Sequence, residues 1–385
     1  MIWSARERML QKQLAVEQVR REIIRLCQAG LDSRTLRIEA IKQIRKVLPI
    51  DVSFFATADP ATLLFTDVVA DDILARATPR FIENEFLQDD VNKFAWLART
   101  AQSVGSLVQE THRQVEQSRR YRDILAPLGL GDELRAALIT RRVCWGFLCL
   151  HRDRSSPPFT PAEAAFLQRL APHLAEGLRN ALLLGATKAA SFVDDAPGLL
   201  LLADDLSVTA MTPAAERMLA ELTAADRVPL HGLPHAVYAA AARLQANEQN
   251  SEWTPDLPPK VRLRTASGQW LMVHASRPAG ANTAGHIAVI FAVARPVEIA
   301  RLIVQAYALS PRESEIVRLV AQGQPTTQIA TTFHITPDTV QDHLKAIFEK
   351  VGVRSRRELV GQLFAQQYQP RITAGQVVGA DGWFA

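Results

Sequence analysis

Apolar residues recur with the period of an α-helix near the C-terminal end of this 385-residue chain. Four of them follow one another at offsets of 4, 3 and 4, which places them on one stripe of a helix. They are Val340, Leu344, Ile347 and Val351. The intervening residues Gln341, Asp342 and Lys345 are polar and face the other way. The pattern predicts a helix that is held at its back by a small core and is polar at its front.

Capping residues divide the surrounding segment, Leu309 to Leu363, into four short helices. Ser310 and Glu313 have the spacing of a capping box at the start of the first helix. Gly323 is placed to end that helix, and Thr336 to cap the third. The second and third helices are expected to meet at a tight turn. A polar helix presented in this way suits the major groove of DNA, where each base pair offers a distinct pattern of donors and acceptors.

At these residues the segment resembles the LuxR/FixJ-type helix-turn-helix. The family's opening motif corresponds to Leu309 to Glu313, and its recognition-helix and closing motifs correspond to Thr336, Pro337, Thr339, Val340, His343 and Leu344, and to Val351 to Arg356. The resemblance implies that Gln341, Asp342 and Lys345 read bases. It also implies that Thr339 and His343 lie close to phosphates, and that the fourth helix, around Leu359 and Leu363, is a dimerisation face.

Bulk charge does not by itself indicate DNA binding. Leu309 to Tyr368 holds seven Lys or Arg against six Asp or Glu, so affinity must come from placement. The candidates for phosphate contact are Lys345, Lys350, Arg354, Arg356 and Arg357, of which the last two suit an ordinary solvated surface equally well. Asp342 would repel phosphates, and we expect it to accept a hydrogen bond from a cytosine amino group. One copy should bind weakly, so we expect a dimer.

The first two hundred residues alternate between helical and strand-like patterns. Two amphipathic helices precede a hairpin that turns at Asp59, and two further strands turn at Arg141 and Arg142 before a long helix capped by Thr160. Helices that flank an antiparallel sheet resemble a GAF domain, over about Gln18 to Leu184. The resemblance implies a ligand cavity between sheet and helices, and a dimer seam along the first and last helices.

Two features of this region carry candidate chemistry. The aromatic and acidic stretch from Phe81 to Phe94 either lines such a cavity or forms a surface helix whose phenylalanines reach the core. Cys144 and Cys149 lie in one strand and would face opposite sides if it is regular. We expect both to be packing residues, with a GAF-domain redox enzyme or thiol sensor as the alternative. No cysteine has metal-binding spacing with histidine.

The middle segment reads as a strand, an acidic turn at Asp204 and Asp205, a strand, a helix and a later hairpin with a last strand. This order resembles a PAS domain over about Ser191 to Pro296. A haem-binding PAS domain would need an axial ligand from the segment's histidines, for which surface or packing roles are the alternative. They are His231, His235, His274 and His286.

The composition of the chain limits the classes of protein to which it can belong. The net charge is +4, but the first fifty residues hold eleven basic and five acidic side chains, so most of the excess lies outside the DNA-reading segment. No apolar run approaches the ~18 residues of a membrane span, and no secretion signal is evident, so we expect a cytoplasmic protein. Phosphate-binding loops, catalytic triads and metal clusters are not found, so we expect neither enzyme activity nor a cofactor.

These observations predict a multidomain α+β protein. The expected domains are a GAF-like domain (1–187), a PAS-like domain (188–297), an all-α helix-turn-helix domain (303–368) and a disordered tail (369–385). The predicted function is sequence-specific, dimeric DNA binding that regulates transcription under the control of the N-terminal domains. The expected partners are double-stranded DNA, a second copy of the chain, RNA polymerase and an unidentified small molecule. A protein-interaction scaffold is a further alternative.

Overall fold

The computed structural model describes residues 5–75, 77–186, 196–225, 233–249, 257–280 and 285–362. The chain divides into two compact units, Met1–Leu184 with Asp194–Val293, and Gly185–Val193 with Ala294–Ala385. The α-helices are α1 (Ala5–Gln28), α2 (Ser33–Ile44), α3 (Asp72–Ala75), α4 (Thr78–Leu87), α5 (Phe94–Leu97), α6 (Leu107–Glu110), α7 (Pro161–Ala186), α8 (Pro213–Ala225), α9 (His235–Glu248), α10 (Pro296–Ala306), α11 (Pro311–Ala321), α12 (Thr326–Phe333), α13 (Pro337–Val351) and α14 (Arg356–Val360). The strands are β1 (Val52–Ala58), β2 (Phe65–Ala70), β3 (Val104–Ser106), β4 (Leu130–Thr140), β5 (Val143–Asp153), β6 (Gly198–Ala203), β7 (Val208–Met211), β8 (Lys260–Arg264), β9 (Trp270–Ser276) and β10 (His286–Val293).

The first sheet is antiparallel, with its strands in the order β2-β1-β5-β4-β3. The predicted hairpin at Asp59 is confirmed as the β1–β2 pair, and that at the two arginines as the β4–β5 pair. Arg141 and Arg142 have φ values of 51° and 66°. These left-handed conformations are those of two-residue turns whose twist matches a hairpin. The short strand β3 has no counterpart in the predicted pattern.

Helix α7 packs closely on the first two helices. A Cβ atom added at Gly177 would stand 2.8 Å from Leu36 Cδ2 and 2.9 Å from Cys27 Sγ. Only glycine therefore allows α7 to approach α1 and α2 at this point. The predicted long helix after Thr160 is confirmed; its residues Leu167, Leu170 and Leu174 are buried, and Leu178 packs against Gly146 of β5.

The second sheet repeats the strand order of the first. Its strands run β7-β6-β10-β9-β8 and every pairing is antiparallel. Within each sheet the first strand lies between the second and the fifth, and the fourth lies between the fifth and the third. The acidic pair between β6 and β7 serves the turn, because Asp205 Oδ1 accepts from the Ser207 backbone N–H at 2.9 Å. This confirms turn chemistry at that position.

The two sheets belong to one compact unit and share a hydrophobic core, although the sequence predicted separate domains over 1–187 and 188–297. Helix α9 explains the difference, because its residues from Ala236 to Ala242 are all buried. Small side chains allow α9 to pack on its own sheet and also on α4 of the first domain. Across this contact the Arg243 guanidinium lies 5.1 Å from the centre of the Phe86 ring.

The second unit contains the five helices from α10 to α14. The four helices predicted between Leu309 and Leu363 are confirmed as α11 to α14. None of the helices in the described part of the chain is both long and apolar enough to cross a membrane. The predicted disordered tail, 369–385, lies outside the described residues.

Candidate nucleic-acid interface and cavity

The start of α11 has the predicted capping box. The Glu313 backbone N–H donates to Ser310 Oγ at 3.2 Å, and the Ser310 backbone N–H donates to Glu313 Oε2 at 2.6 Å. Pro311 occupies the first turn. Two backbone donors that helix geometry leaves without a partner are thus satisfied, which fixes where α11 begins.

The turn between α12 and α13 is tight, as predicted. Helix α12 ends at Phe333, and His334 follows in a left-handed conformation with φ of 54°. Two residues later Thr336 caps α13, because its Oγ1 accepts from the Thr339 backbone N–H at 3.2 Å. Ile329 and Ala330 of α12 are buried, as expected. The chain therefore turns within three residues between the two helices, and α13 packs against α12.

Helix α13 has a buried back and a polar front. Its predicted stripe is fully confirmed: Val340, Leu344, Ile347 and Val351 are between 0% and 6% exposed. Gln341, Asp342 and Lys345 are exposed on the other side. Gln341 Nε2 lies 3.5 Å from Thr326 Oγ1 at the start of α12, a long contact that leaves the amide available to another partner. The residues predicted to read bases thus form one solvent-facing surface, which we call the α13 front.

Five of the residues predicted to contact phosphates have different surroundings. Arg354 is exposed, and His343 and Thr339 are half-buried, with the Thr339 hydroxyl 2.8 Å from that of Thr336. Lys350 Nζ lies 2.6 Å from Glu313 Oε2 and so ties the last turn of α13 to the start of α11. Arg356 donates to the Gln324 carbonyl at 2.5 Å and to Thr326 Oγ1 at 3.2 Å. Lys350 and Arg356 are therefore already bound within the domain.

The ion pair with Lys350 affects the pKa of its partner, Glu313. Burial raises the pKa of the Glu313 carboxyl, but the ammonium of Lys350 and the hydrogen bonds from Ser310 outweigh it and lower that pKa. Glu313 is 5% exposed, so its charge is held by these contacts rather than by water.

Arg312 is a further positioning residue, and the sequence did not reveal it. Its guanidinium lies 3.9 Å from the centre of the Phe333 ring and donates to the Phe333 carbonyl at 3.2 Å. It therefore holds the end of α12 against α11. Its partner is 21 positions away, so no local pattern could have revealed the contact. A basic residue in the first turn of α11, opposed to the helix dipole, was the available signal.

The predicted dimerisation residues need correction. Leu359 is 0% exposed, because α14 packs on α11 within one chain. A buried side chain offers a partner no surface, so a dimer contact on this helix would have to use its exposed neighbours. Leu363 lies outside the described residues.

A cavity of about 40 Å³ lies between the first sheet and α4. Phe81, Ile82, Glu85 and Phe94 line it, so the interpretation of Phe81 to Phe94 as a cavity wall is confirmed. The same stretch also reaches the core, where Phe86 is 3% exposed. His235, the first residue of α9, completes the lining from the second domain. The space is roughly that of one or two water molecules.

Four charged side chains form a buried cluster beside this cavity. Arg120 Nε donates to Glu133 Oε2 at 2.7 Å, and Arg135 Nη1 donates to Glu85 Oε2 at 2.7 Å. All four are at most 7% exposed. Burial raises the pKa of Glu133, but the two guanidiniums outweigh it and hold that pKa well below its ordinary value. The formal charges of the cluster, two positive and two negative, cancel.

The cysteines do not have the surroundings of a redox nucleophile. Burial raises the pKa of the Cys27 and Cys144 thiols to about 12. Burial, and after it the Glu133 carboxylate, raises the pKa of Cys149 well above its ordinary value. A reactive cysteine needs a lowered pKa. The geometry therefore gives no support to the redox alternative.

The two strand cysteines lie on one face, contrary to the expectation for a regular strand. The register shifts between Leu138 and Ile139, and Cys144 pairs with Ile139. This bulge adds one residue to β5 and reverses the alternation on one side of it. Cys144 therefore shares the face of Cys149.

Comparison with known proteins finds a family match for each of two segments. Residues 307–362 match the family described as bacterial regulatory proteins, luxR family, and residues 39–178 match the GAF domain. The spore germination protein GerE of Bacillus subtilis is 34% identical over 55 residues, which are 14% of this chain and 74% of GerE. This chain belongs to the luxR family of bacterial regulatory proteins, and it carries a GAF domain ahead of the helix-turn-helix.

Other relatives are similar over the same short region. The nitrate/nitrite response regulator protein NarL of Escherichia coli is 44% identical over 50 residues, which are 13% of this chain and 23% of NarL. The putative HTH-type transcriptional regulator Mb0914c of Mycobacterium bovis is 41% identical over 54 residues, 14% of this chain and 6% of that protein. The chain thus spans less than a quarter of these two relatives. The crystal structure of Escherichia coli SdiA aligns with 89% of this chain and 94% of its own at 13% identity, with a TM-score of 0.32.

Proposed function

We propose that this chain is a sequence-specific DNA-binding regulator of transcription. The observation that carries the proposal is the α13 front, a polar surface on a helix whose back is fully buried and whose start is fixed by a tight turn. A helix of this kind fits the major groove and can bring several side chains to the base edges. The family match and the transcriptional regulators among the relatives support the same function.

The proposed roles of the individual residues follow from the contacts that each side chain makes. Gln341, Asp342 and Lys345 read bases, and the amino group of a cytosine is the proposed donor to Asp342. Thr339, His343 and Arg354 contact phosphates. Lys350 and Arg356 already bond to other residues of the domain, so their first role is to position α13. They contact phosphates only through those of their N–H groups that are not used in these bonds.

We also propose that the protein acts as a dimer. The α13 front offers one lysine and one acid from its three base-reading positions, which limits the affinity of a single copy. Two copies related by two-fold symmetry would read two half-sites about one helical turn apart. Double-stranded DNA, a second copy and RNA polymerase are the proposed macromolecular partners, with the cytoplasm as the site of action.

The sheet-containing unit is proposed to control this activity. Its first sheet carries the GAF match, and its second sheet has the same strand order, which supports a PAS-like second domain. The cavity is lined from both domains, since His235 of α9 faces it beside Phe81 and Glu85 of α4. A small molecule bound there would alter the contact between the two domains, and could thereby bias the dimer towards one geometry.

The test is selection of genomic DNA fragments by the purified full-length protein at two salt concentrations. Salt-sensitive enrichment of a two-fold symmetric site is expected, with loss or broadening of the preference in Lys345→Ala. Lys46→Ala is the matched control, since Lys46 is an exposed lysine at the end of α2 in the other unit. Equal, sequence-independent recovery of all fragments by the wild type would contradict the proposal.

A further inference from the structure

Three side chains of different chemistry meet beside the cavity of the first sheet. Cys149 Sγ lies 3.2 Å from Glu133 Oε1 and 3.4 Å from His151 Nε2, and His151 Nε2 lies 3.3 Å from Glu133 Oε1. The three atoms therefore form a nearly equilateral triangle. Each side chain is at most 3% exposed. Thiolate, imidazole and carboxylate are the ligands that zinc and its neighbours in the first transition row use in proteins.

The size of the triangle suits a tetrahedral metal ion. Zinc binds sulfur at ≈ 2.3 Å and nitrogen or oxygen at ≈ 2.0–2.2 Å, so tetrahedral angles separate nitrogen from oxygen by roughly 3.3–3.6 Å and sulfur from either by roughly 3.5–3.7 Å. The observed edges of 3.2 to 3.4 Å need an expansion of a few tenths of an ångström to reach these ranges. A single ion can thus contact all three atoms without any change of strand register.

The backbone fixes the arrangement. Cys149 and His151 are alternate residues of β5 and share one face of the sheet. Glu133 of β4 pairs directly with His151. Arg120 donates to Glu133 Oε2, and Oε1 faces the other two ligands with Arg135 Nε 3.3 Å away. A charged hydrogen bond on the second oxygen is the kind of outer contact that orients a ligand carboxylate.

His151 has no competing use in this part of the chain. Its Nδ1 atom is buried and has no hydrogen-bond partner among the described residues. The ring otherwise meets Phe81, with the two centres 6.3 Å apart. The polar contacts of this buried imidazole are confined to Cys149 and Glu133. Packing alone does not explain why a histidine occupies this position.

The cavity supplies a place for a fourth ligand. Cys149 and His151 both line it, and its volume of about 40 Å³ has room for one or two water molecules. A tetrahedral ion on the triangle could therefore take one small exogenous ligand from the cavity side. Much of the remaining lining is apolar, including Phe54, Phe65 and Phe94, while Thr78, Glu85, Arg135 and His235 are its polar members.

We propose that Glu133 Oε1, Cys149 Sγ and His151 Nε2 bind one divalent first-row transition metal ion, whose fourth position opens on the cavity and takes a water-sized ligand. Binding releases the thiol proton, so the ion and the thiolate together add one positive charge to a cluster of two arginines and two glutamates that is otherwise neutral. A small anion at the fourth position restores neutrality. The proposal does not depend on DNA reading, because it concerns a separate unit and a different measurement.

The test uses the full-length protein produced in medium supplemented with Co²⁺ or with Zn²⁺. Metal analysis is expected to give one ion per chain. The Co²⁺ form should also show the near-ultraviolet charge-transfer band of a cobalt–thiolate bond. The chain has only three cysteines, Cys27, Cys144 and Cys149, so the origin of such a band can be assigned completely.

Single substitutions then assign the ligands. Cys149→Ser should abolish the band and lower the metal content to background, and His151→Gln should shift the band and weaken retention against a chelator. Cys144→Ser is the matched control, since Cys144 is also buried and lies on the same face of β5. It should change neither result.

Folding is checked separately by circular dichroism of each variant. If Cys149→Ser does not fold, persistence of the band in both Cys27→Ser and Cys144→Ser still assigns it to Cys149. A wild-type protein that folds but holds neither metal, or a cobalt–thiolate band that survives in folded Cys149→Ser, would overturn the proposal. Either result would leave the three side chains as a hydrogen-bonded cluster, and DNA selection by the wild type would be unaffected.

Discussion

Asp59, which follows β1, and Arg262, in β8, form a buried ion pair between the two sheets of the first compact unit. Arg262 Nη2 lies 2.5 Å from Asp59 Oδ1, while its Nε and backbone nitrogens lie 2.8 Å and 3.0 Å from Oδ2. The two side chains are 3% and 8% exposed. Because β8 is an edge strand, the carboxylate also satisfies a backbone donor that its own sheet leaves unpaired.

Replacing Asp59 by asparagine should destabilise this unit strongly. The guanidinium of Arg262 would remain buried without a counter-charge, and breaking a buried pair in this way costs about 3–5 kcal/mol of unfolding free energy. Urea unfolding followed by tryptophan fluorescence is the measurement. Five of the six tryptophans, among them Trp96, Trp145 and Trp270, belong to this unit and one, Trp383, to the other, so most of the signal reports on this unit.

The matched control for that experiment is Asp204→Asn. Asp204 also follows a strand and pairs with an arginine, Arg277, at 2.6 Å, but the two side chains are 58% and 32% exposed. Solvent screens such a pair, and its loss should cost less than about 1 kcal/mol. Equal effects of the two substitutions would show that the Asp59 pair does not join the sheets.

The sequence predicted the helix-turn-helix almost completely, because its signals are local. Ser310 and Glu313 are three residues apart, and the buried stripe from Val340 to Val351 lies on one helix. The contacts that it did not reveal join distant positions, such as Arg312 with Phe333 and Lys350 with Glu313. Capping and periodicity determine elements, whereas these pairs follow from how the elements pack.

The buried cluster of the first sheet was not predicted from the sequence, for the same reason. Cys149 and His151 are two residues apart, a spacing that the sequence did not identify as metal-binding, and in a strand it places both side chains on one face. The third member, Glu133, joins them only through the register of β4 on β5, which a single sequence does not specify. The packing of α9 on the first domain was hidden likewise, since its alanines indicate a close contact but not with which element.

Stability of the C-terminal bundle should depend on pH through Glu313. Its pKa is lowered from 4.5 in the folded state, so the stabilisation is present above that value and is lost as the pH falls through the lower, folded pKa. The protection factors of the α11 and α13 amides, which are exchange rates corrected for the intrinsic effect of pH, should therefore fall on acidification. In Glu313→Gln this acid-induced fall should be smaller, with lower protection already at neutral pH. Identical pH profiles in the two proteins would contradict this account of the ion pair with Lys350.

Asp342→Ala should relax base preference at one position of each half-site. If its carboxylate accepts from a cytosine amino group, loss of that bond removes about 1–3 kcal/mol of discrimination. Selection from a DNA pool measures the preference at each position. Asp338→Ala is the control, because Asp338 is an exposed acid in the first turn of the same helix. Tighter binding of Asp342→Ala to every sequence, without a change in preference, would indicate simple repulsion from phosphates.

Arg354 and Arg356 should differ in how their loss affects binding, although both are arginines near the end of α13. Arg354 has an exposed side chain, so Arg354→Ala should reduce the slope of log affinity against log salt by about 1 and leave stability unchanged. Arg356 bonds to Gln324 and Thr326, so Arg356→Ala should instead lower the stability of the bundle by about 1 kcal/mol and weaken binding with little change in slope. Fluorescence anisotropy over a salt series, together with thermal unfolding by circular dichroism, separates the two effects. If both variants lost the same salt slope at unchanged stability, Arg356 would be a phosphate contact and its bonds to the start of α12 would be incidental.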